Sequence, residues 1–190
     1  MRSIVLALAG FALLGAFAAR AAGPLPGDSV YQLPVVLDAH DGSHTSLIER
    51  RGRPQLVTMF YSSCPMACPM IIDSLKMTRR ALDEDARGGI DVLAVSFDSE
   101  RDDPATLRAL AEKRKLGDGW TIAHVSTADA RSLAAILGIQ YRRLPDGEFS
   151  HSSELILLDR EGRIAARTSV IGKPDPEFIA EVRRVVADGR

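Results

Sequence analysis

Two cysteines, Cys64 and Cys68, are the residues of this 190-residue chain whose type and spacing most directly indicate chemistry. They are its only cysteines, and they stand in the segment Cys64-Pro65-Met66-Ala67-Cys68-Pro69. Residues four apart at the start of a helix lie on one face about one turn apart, so both sulfur atoms could join in a disulfide or converge on one ion. Unpaired N–H groups and the helix dipole favour the thiolate there, which metal binding and disulfide exchange both require.

Four kinds of site can be considered for this pair of cysteines. A plain disulfide is common in an exported protein, although a bridge across so short a loop stabilises weakly. A thioredoxin-type redox motif has two intervening residues instead of three. A structural zinc site needs four protein ligands, and the chain has no second cysteine pair. Two thiolates and one imidazole would suit copper(I), a soft ion that accepts few ligands.

Four histidines could supply that imidazole. His40 and His44 flank a predicted turn at Asp41-Gly42, where a polar surface role is expected. His124 stands in an apolar run and is expected to be partly buried with its hydrogen bonds satisfied. His151 stands in a predicted loop just before a strand, and in the predicted fold that loop meets the start of the cysteine helix. His151 is therefore the best placed candidate.

The elements that must position these residues alternate between strands and helices. Strands are predicted at Val30–Leu37 and Thr45–Leu47 (a hairpin), Leu56–Phe60, Val92–Phe97, Trp120–Val125, Glu154–Asp159 and Ile164–Ala166. Helices are predicted after Cys68, after Asp103-Pro104, from a cap at Thr127 to a stop at Gly138, and after Asp175-Pro176. On the first helix, Ile71, Leu75 and Leu82 are expected to face inward. The pattern predicts an α/β domain with a mixed central sheet flanked by helices and an N-terminal β-hairpin. Cysteines at the end of the first central strand give it the order of a thioredoxin-like fold.

Charge and the N-terminal segment limit the function classes. Basic and acidic side chains number 24 and 25, for a net charge of −1, which lacks the basic surplus of a nucleic-acid binder. Residues 1–21 are predicted to be a signal peptide, because Arg2 precedes an apolar stretch that ends in small residues. That stretch is shorter than the roughly 20 residues of a spanning helix. An uncleaved anchor is the alternative. Residues 22–29 are a predicted linker and residues 30–190 one domain, exported to the periplasm as a soluble or weakly anchored protein.

Three ordered motifs carry a family resemblance. They are Phe60-Tyr61-Ser62-Ser63-Cys64-Pro65-Met66-Ala67-Cys68-Pro69, then Val95-Ser96-Phe97-Asp98-Ser99-Glu100-Arg101-Asp102-Asp103-Pro104, then His151 ahead of Leu157-Leu158-Asp159-Arg160-Glu161-Gly162. Together they span essentially the whole predicted domain, and the sequence resembles the Sco/SenC family of copper-binding proteins.

This resemblance implies a thioredoxin-like exported protein that binds one copper ion, as Cu(I) or Cu(II). Cys64 and Cys68 would be the thiolate ligands and the redox pair, and His151 the imidazole ligand. The implied function is copper-site assembly in cytochrome c oxidase subunit II or a related cuproenzyme. The implied partners are that enzyme, a periplasmic copper donor and a thiol reductant protein, with no nucleic acid. The alternative function is a thiol-disulfide oxidoreductase that reduces the cysteines of a copper-accepting client.

The sequence departs from the family pattern at two positions. The family often has an acidic residue at the place of Met66 and a proline at the place of Ser99. Met66 and Met70 carry thioethers that could make soft secondary contacts with the metal, although Met70 is expected to pack in the helix core. Asp98 and Asp102 fall in the acidic loop of the family, where loop contacts and helix capping are as well supported as a role near the site.

Overall fold

The computed structural model describes residues 23–64 and 67–188, and of residues 67 and 68 only the backbone. The α-helices are α1 (Ala67–Arg80), α2 (Glu84–Gly88), α3 (Pro104–Arg114), α4 (Thr127–Leu137) and α5 (Pro176–Ala187). The β-strands are β1 (Val36–Ala39), β2 (His44–Ser46), β3 (Gln55–Phe60), β4 (Asp91–Ser96), β5 (Trp120–His124), β6 (Tyr141–Arg143), β7 (Phe149–His151), β8 (Leu155–Leu158) and β9 (Ile164–Thr168).

The central sheet is mixed and has the strand order β2-β1-β5-β4-β3-β8-β9. Its middle strands β3, β4 and β5 are parallel, while β1, β8 and the outer strands pair antiparallel. All six residues of β3 are buried, as the continuous apolar run predicts for a central strand. The predicted α/β fold with a mixed sheet is confirmed. The cysteine segment leaves the sheet at the carboxyl end of β3.

The N-terminal hairpin is confirmed, but its predicted first strand is too long. Residues Val30–Gln32 form a 3-10 helix instead of a strand. Ser29 is fully buried there, its hydroxyl accepts from the Tyr31 N–H, and it donates to the Glu161 carbonyl at 2.5 Å. These bonds fix a turn where the apolar pattern alone indicates extended chain.

Helix capping follows the sequence at most ends. Asp103 and Asp175 accept hydrogen bonds from N–H groups in the first turns of α3 and α5. Helix α4 is capped by Ser126 and not by Thr127, because the Ser126 hydroxyl accepts from the Asp129 N–H. Gly138 ends α4 with a φ of 69°, which is why glycine stands there.

Helix α1 packs one face on the sheet. Ile71 and Leu75 are fully buried, and Leu82, also buried, lies just beyond the last residue of the helix. Met70 is 43% exposed, so the prediction that it packs in the core is wrong. Met70 precedes the inward-facing Ile71 and Ile72, and helix geometry turns its side chain toward solvent.

A two-stranded ribbon of β6 and β7 was not predicted, and it lies outside the main sheet. Its strands have three residues each and none of them is fully buried, so no periodic apolar pattern marks them. His151 is consequently the last residue of a strand, paired with Tyr141, and not a loop residue.

The predicted signal peptide, residues 1–21, lies outside the described residues, and the linker and domain boundaries remain predictions. Among the helices of residues 23–64 and 67–188, none is long and apolar enough to cross a membrane.

Candidate metal centre

The segment that carries Cys64 is held at the sheet by a buried carboxylate. Asp102 is fully buried and accepts from the Ser62 backbone N–H at 2.8 Å and from the Ser62 hydroxyl. The same carboxylate accepts from the Ser96 hydroxyl at 2.5 Å, at the end of β4. Asp102 therefore joins the cysteine segment to the neighbouring strand two residues before Cys64.

Asp98, four residues earlier in the same loop, is buried as well. Its carboxylate accepts from the guanidinium of Arg101, and its carbonyl accepts from the Asp102 N–H at 3.0 Å. Helix capping falls to Asp103, whose carboxylate accepts from the Thr106 N–H at 2.7 Å. Asp98 and Asp102 thus do not cap α3, and their contacts are to the loop that surrounds the cysteine segment.

Tyr61 connects Cys64 to the β6–β7 ribbon. Its ring is buried, and its hydroxyl donates to the Glu148 carboxylate at 2.9 Å and hydrogen-bonds with Cys64. Burial raises the pKa of Tyr61, and the hydrogen bonds to Cys64 and Glu148 raise it further. Tyr61 is therefore neutral, and it acts as a hydrogen-bond donor beside the sulfur.

His151 belongs to an aromatic cluster around Tyr61. Its ring lies edge-on to Tyr61, with 5.7 Å between centroids, and 5.3 Å from the ring of Phe97. Phe149 contacts both Tyr61 and Phe97 at 5.1 Å, and Tyr141 stacks on Phe97 at 4.7 Å. Packing on these rings limits the positions that the His151 imidazole can take.

The hydrogen bond of His151 decides which ring nitrogen is open to a metal. Its Nδ1 lies 3.0 Å from the Ser152 carbonyl oxygen, which can only accept, so Nδ1 carries the proton. The lone pair is then on Nε2. A backbone carbonyl bonded to one nitrogen is the usual way in which a protein orients a metal-binding histidine. His151 also lines an open cleft of about 490 Å³ with Gln140, Tyr141 and Arg142.

Cys64 and His151 are therefore both neighbours of the Tyr61 side chain. Cys68 lies in the first turn of α1, and its side chain is not among those described. Within the described part of the chain, no three His, Cys, Asp or Glu side chains are close enough together to hold a metal ion. The full set of Cys64, Cys68 and His151 remains a prediction.

The other histidines lie on or next to β1, β2 and β5 and contact protein groups. His40 Nδ1 accepts from the Ile122 N–H at 3.3 Å. His124 Nε2 lies 3.2 Å from Asp38, and His44 contacts the same carboxylate. His124 is partly buried, as predicted, but its hydrogen bonds are not all satisfied, because Nδ1 is buried with no hydrogen-bond partner among the described residues.

Sequence reasoning missed the residues that hold the two candidate ligands in place. Arg101 pairs with Asp98, donates to the Gly147 carbonyl at 2.9 Å, and lies 5.9 Å from the ring centroid of Tyr61. Tyr61 and Ser62 stand inside the cysteine motif, and Arg101 and Asp102 inside the acidic loop. The only sequence signal for these four residues is their place inside the two motifs. That the two motifs contact each other is shown only by the fold.

The comparisons with known proteins agree with this geometry. The family model described as SCO1/SenC matches residues 27–187. A putative electron transfer protein of Aquifex aeolicus has 22% identity and a TM-score of 0.72, covering 87% of this chain and 93% of that one. ScoI of Bradyrhizobium japonicum, solved with copper bound, has 22% identity and a TM-score of 0.67, covering 80% and 98%.

Yeast Sco1, also solved with copper bound, has 17% identity and a TM-score of 0.66, covering 82% of this chain and 87% of that one. At these identities the structures show a shared thioredoxin-like fold. No curated protein matches the chain in sequence. The family model spans nearly the whole described domain, and the chain therefore belongs to the SCO1/SenC family.

Proposed function

We propose that this protein binds one copper ion as cargo through Cys64, Cys68 and His151 and passes it to a cuproenzyme. The first candidate for that enzyme is cytochrome c oxidase, whose subunit II has a dinuclear copper site that would receive the ion. Family membership supports the proposal, as do the related structures solved with copper bound. A further relative is described as a member of the Sco family of cytochrome c oxidase assembly proteins.

The observation that carries the proposal is the hydrogen bond between His151 Nδ1 and the Ser152 carbonyl. It leaves Nε2 as a ligand atom next to Tyr61, and Cys64 hydrogen-bonds the same tyrosine. Two thiolates and one imidazole suit copper(I). A three-coordinate ion is open to an incoming thiolate, so ligand exchange can pass the ion to an acceptor.

Copper(I) as cargo determines the redox and protonation state that Cys64 and Cys68 must have. Both cysteines must be reduced and deprotonated before copper(I) binds, so a thiol reductant has to act on the pair first. A copper donor must supply the ion, and a periplasmic site of action follows from the predicted signal peptide. These partners are part of the proposal.

Copper stoichiometry of the reduced protein tests the proposal. The wild type should retain about one copper per chain after excess metal is removed, and the C64S and C68S variants should retain almost none. His151→Ala should weaken copper binding and leave the dithiol redox-active. His124→Ala is the matched control, because the Nε2 of His124 contacts Asp38 on β1. A wild type without copper refutes the proposal, and unchanged copper affinity in His151→Ala refutes the role of His151.

A second function, thiol-disulfide exchange with a client, is favoured by one observation. Cys64 also lines a separate cavity of about 430 Å³ between α1 and α3, beside Ile72, Leu110 and Lys113. That cavity offers a client disulfide a route to the sulfur of Cys64. In this function a thiolate of the pair attacks the client disulfide, and the other cysteine resolves the mixed disulfide. A metal-free wild type that reduces a disulfide-bonded peptide would favour it over copper delivery.

A further inference from the structure

A cavity lies beside the ribbon that carries His151. It has a volume of about 650 Å³ and lies between α4, the loop after β4, and β6. This is within the range of about 300–1,000 Å³ that ligand sites occupy. Its walls share Gln140, Tyr141 and Arg142 with the cleft that contains His151. An occupant of the cavity therefore contacts the strand that pairs with His151.

The cavity has an apolar floor and a cationic rim. Apolar side chains contribute the floor, namely Phe97, Ala134, Ala135, Ile139 and Phe149. Three arginines stand at the rim, Arg131, Arg142 and Arg143. Arg143 pairs with Glu100 at 2.8 Å, and the other acid of the wall, Asp98, pairs with Arg101. No described carboxylate forms an ion pair with Arg131 or Arg142, so the positive charge of the rim is only partly neutralised.

A buried hydroxyl adds a polar group to the cavity. The hydroxyl oxygen of Tyr141 is buried. Burial raises the pKa of Tyr141, while the charge of the Arg131 guanidinium and its hydrogen bond to the hydroxyl lower it. A guanidinium can only donate, so the Tyr141 O–H remains available to an incoming acceptor. The N-terminus of α4 at Thr127 also faces the cavity and favours negative charge.

We propose that this cavity is a docking site for an acidic segment of the protein that accepts the copper, with a carboxylate between Arg131 and Arg142 and an apolar neighbour on the aromatic floor. The inference rests on the proposed function. Charge complementarity defines the occupant, because the guanidinium groups of Arg131 and Arg142 attract a carboxylate and the apolar lining matches an apolar side chain. Docking here brings the acceptor next to His151, which shortens the path of ligand exchange.

Binding between metal-free proteins tests the docking site separately from copper chemistry. The purified protein is titrated with the purified soluble copper domain of cytochrome c oxidase subunit II, both without metal. The variant R131E/R142E should weaken binding at least tenfold and flatten its salt dependence. The control is R80E/K115E, on another basic patch at the far end of α1, which lowers the net charge equally. That control should change the affinity less than about twofold.

Ala135→Trp provides a second variant that leaves the charges in place. Ala135 is exposed on α4 and lines the cavity, so an indole there fills the space while the helix folds. It should weaken binding about as much as R131E/R142E. Equal losses in R131E/R142E and R80E/K115E, or no loss in Ala135→Trp, would overturn the docking site.

A small carboxylate is the remaining occupant to test. Glutarate is titrated into the 15N-labelled protein, and the amide shifts of Tyr141 and Arg142 are followed. Tighter binding of glutarate than of the copper domain would overturn docking of a protein segment. Copper transfer that proceeds with the same half-saturating acceptor concentration in R131E/R142E would also overturn it and leave the proposed function intact. If the wild type binds no copper but the metal-free titration still depends on Arg131 and Arg142, the function fails and the docking site stands.

Discussion

Asp102 accepts hydrogen bonds from both the backbone N–H and the side-chain hydroxyl of Ser62, two residues before Cys64. The same carboxylate accepts from Ser96, so one buried side chain fixes the cysteine segment to the end of β4. An exposed loop thus gains a rigid attachment at the point where the chain leaves the sheet. The position of Cys64 depends on this contact between two motifs about 40 residues apart in sequence.

Replacing Asp102 should destabilise the protein strongly. Asp102→Ala leaves the Ser62 N–H and the Ser96 hydroxyl buried without an acceptor, and we expect a loss of about 3 kcal/mol in the free energy of unfolding. Urea denaturation measures it. Asp103→Asn is the control, because an asparagine caps α3 about as well as aspartate. Equal stability of the two variants would contradict the anchoring role of Asp102.

Removing the Tyr61 hydroxyl should loosen the ribbon. Tyr61→Phe keeps the ring contacts but loses the bonds to Glu148 and Cys64, and we expect a loss of about 1 kcal/mol and faster amide exchange in β6 and β7. Tyr141→Phe is the matched control, since it removes a hydroxyl from the same aromatic cluster and leaves the bonds of Tyr61 to Glu148 and Cys64 in place. If both variants exchange at the wild-type rate, the hydrogen bonds of Tyr61 do not hold the ribbon.

Two glycines with similar backbone angles should respond differently to alanine. Gly147 and Gly162 have φ values of 85° and 79°, which any side chain adopts only with strain. A Cβ at Gly147 meets nothing within 4 Å, whereas at Gly162 it would lie 2.6 Å from Tyr31 and 2.7 Å from Ser29. We expect Gly147→Ala to cost about 1 kcal/mol and Gly162→Ala about 3 kcal/mol, measured by thermal and urea unfolding. Similar losses would mean that the packing of Ser29 and Tyr31 on the β8–β9 turn relaxes easily.

Acid should destabilise the wild type more than a variant without the Asp175 carboxylate. The Thr168 hydroxyl, which donates to Asp175 at 2.6 Å, and the N–H groups of α5 lower the pKa of Asp175 below its ordinary value of 3.8. A carboxyl whose folded pKa is depressed stabilises the protein fully above its unfolded value and loses this as pH falls through the folded value. Asp175→Asn should therefore show a smaller drop in unfolding free energy between pH 5 and pH 2.

The partner of that hydrogen bond supplies the control. Thr168→Val removes the largest cause of the lowered pKa and should reduce the acid dependence in the same direction. The measurement is urea unfolding at several pH values below 5. Acid dependence identical to that of the wild type in both variants would refute the coupling between Asp175 and Thr168.

Local sequence signals were enough for the main elements of the fold. Apolar runs predicted β3 and β4, and the Asp-Pro pairs at Asp103 and Asp175 marked the starts of α3 and α5, because capping and burial act over a few residues. The ribbon of β6 and β7 carried no such signal. Its strands are short and half-exposed, and what holds them is contact with Phe97 and Tyr61 from other parts of the chain. His151 was accordingly assigned to a loop.

The α/β class, the family and the candidate ligands Cys64, Cys68 and His151 could all be predicted from the sequence, since they depend on residue types and on spacing along the chain. The anchoring of the cysteine segment by Asp102, the contacts of both Cys64 and His151 with Tyr61, and the exposure of Met70 became visible only in the folded chain. The same is true of the cavity beside Arg131. Each of these depends on contacts between distant segments, and a buried hydrogen bond or a packed ring is defined only when the chain has folded.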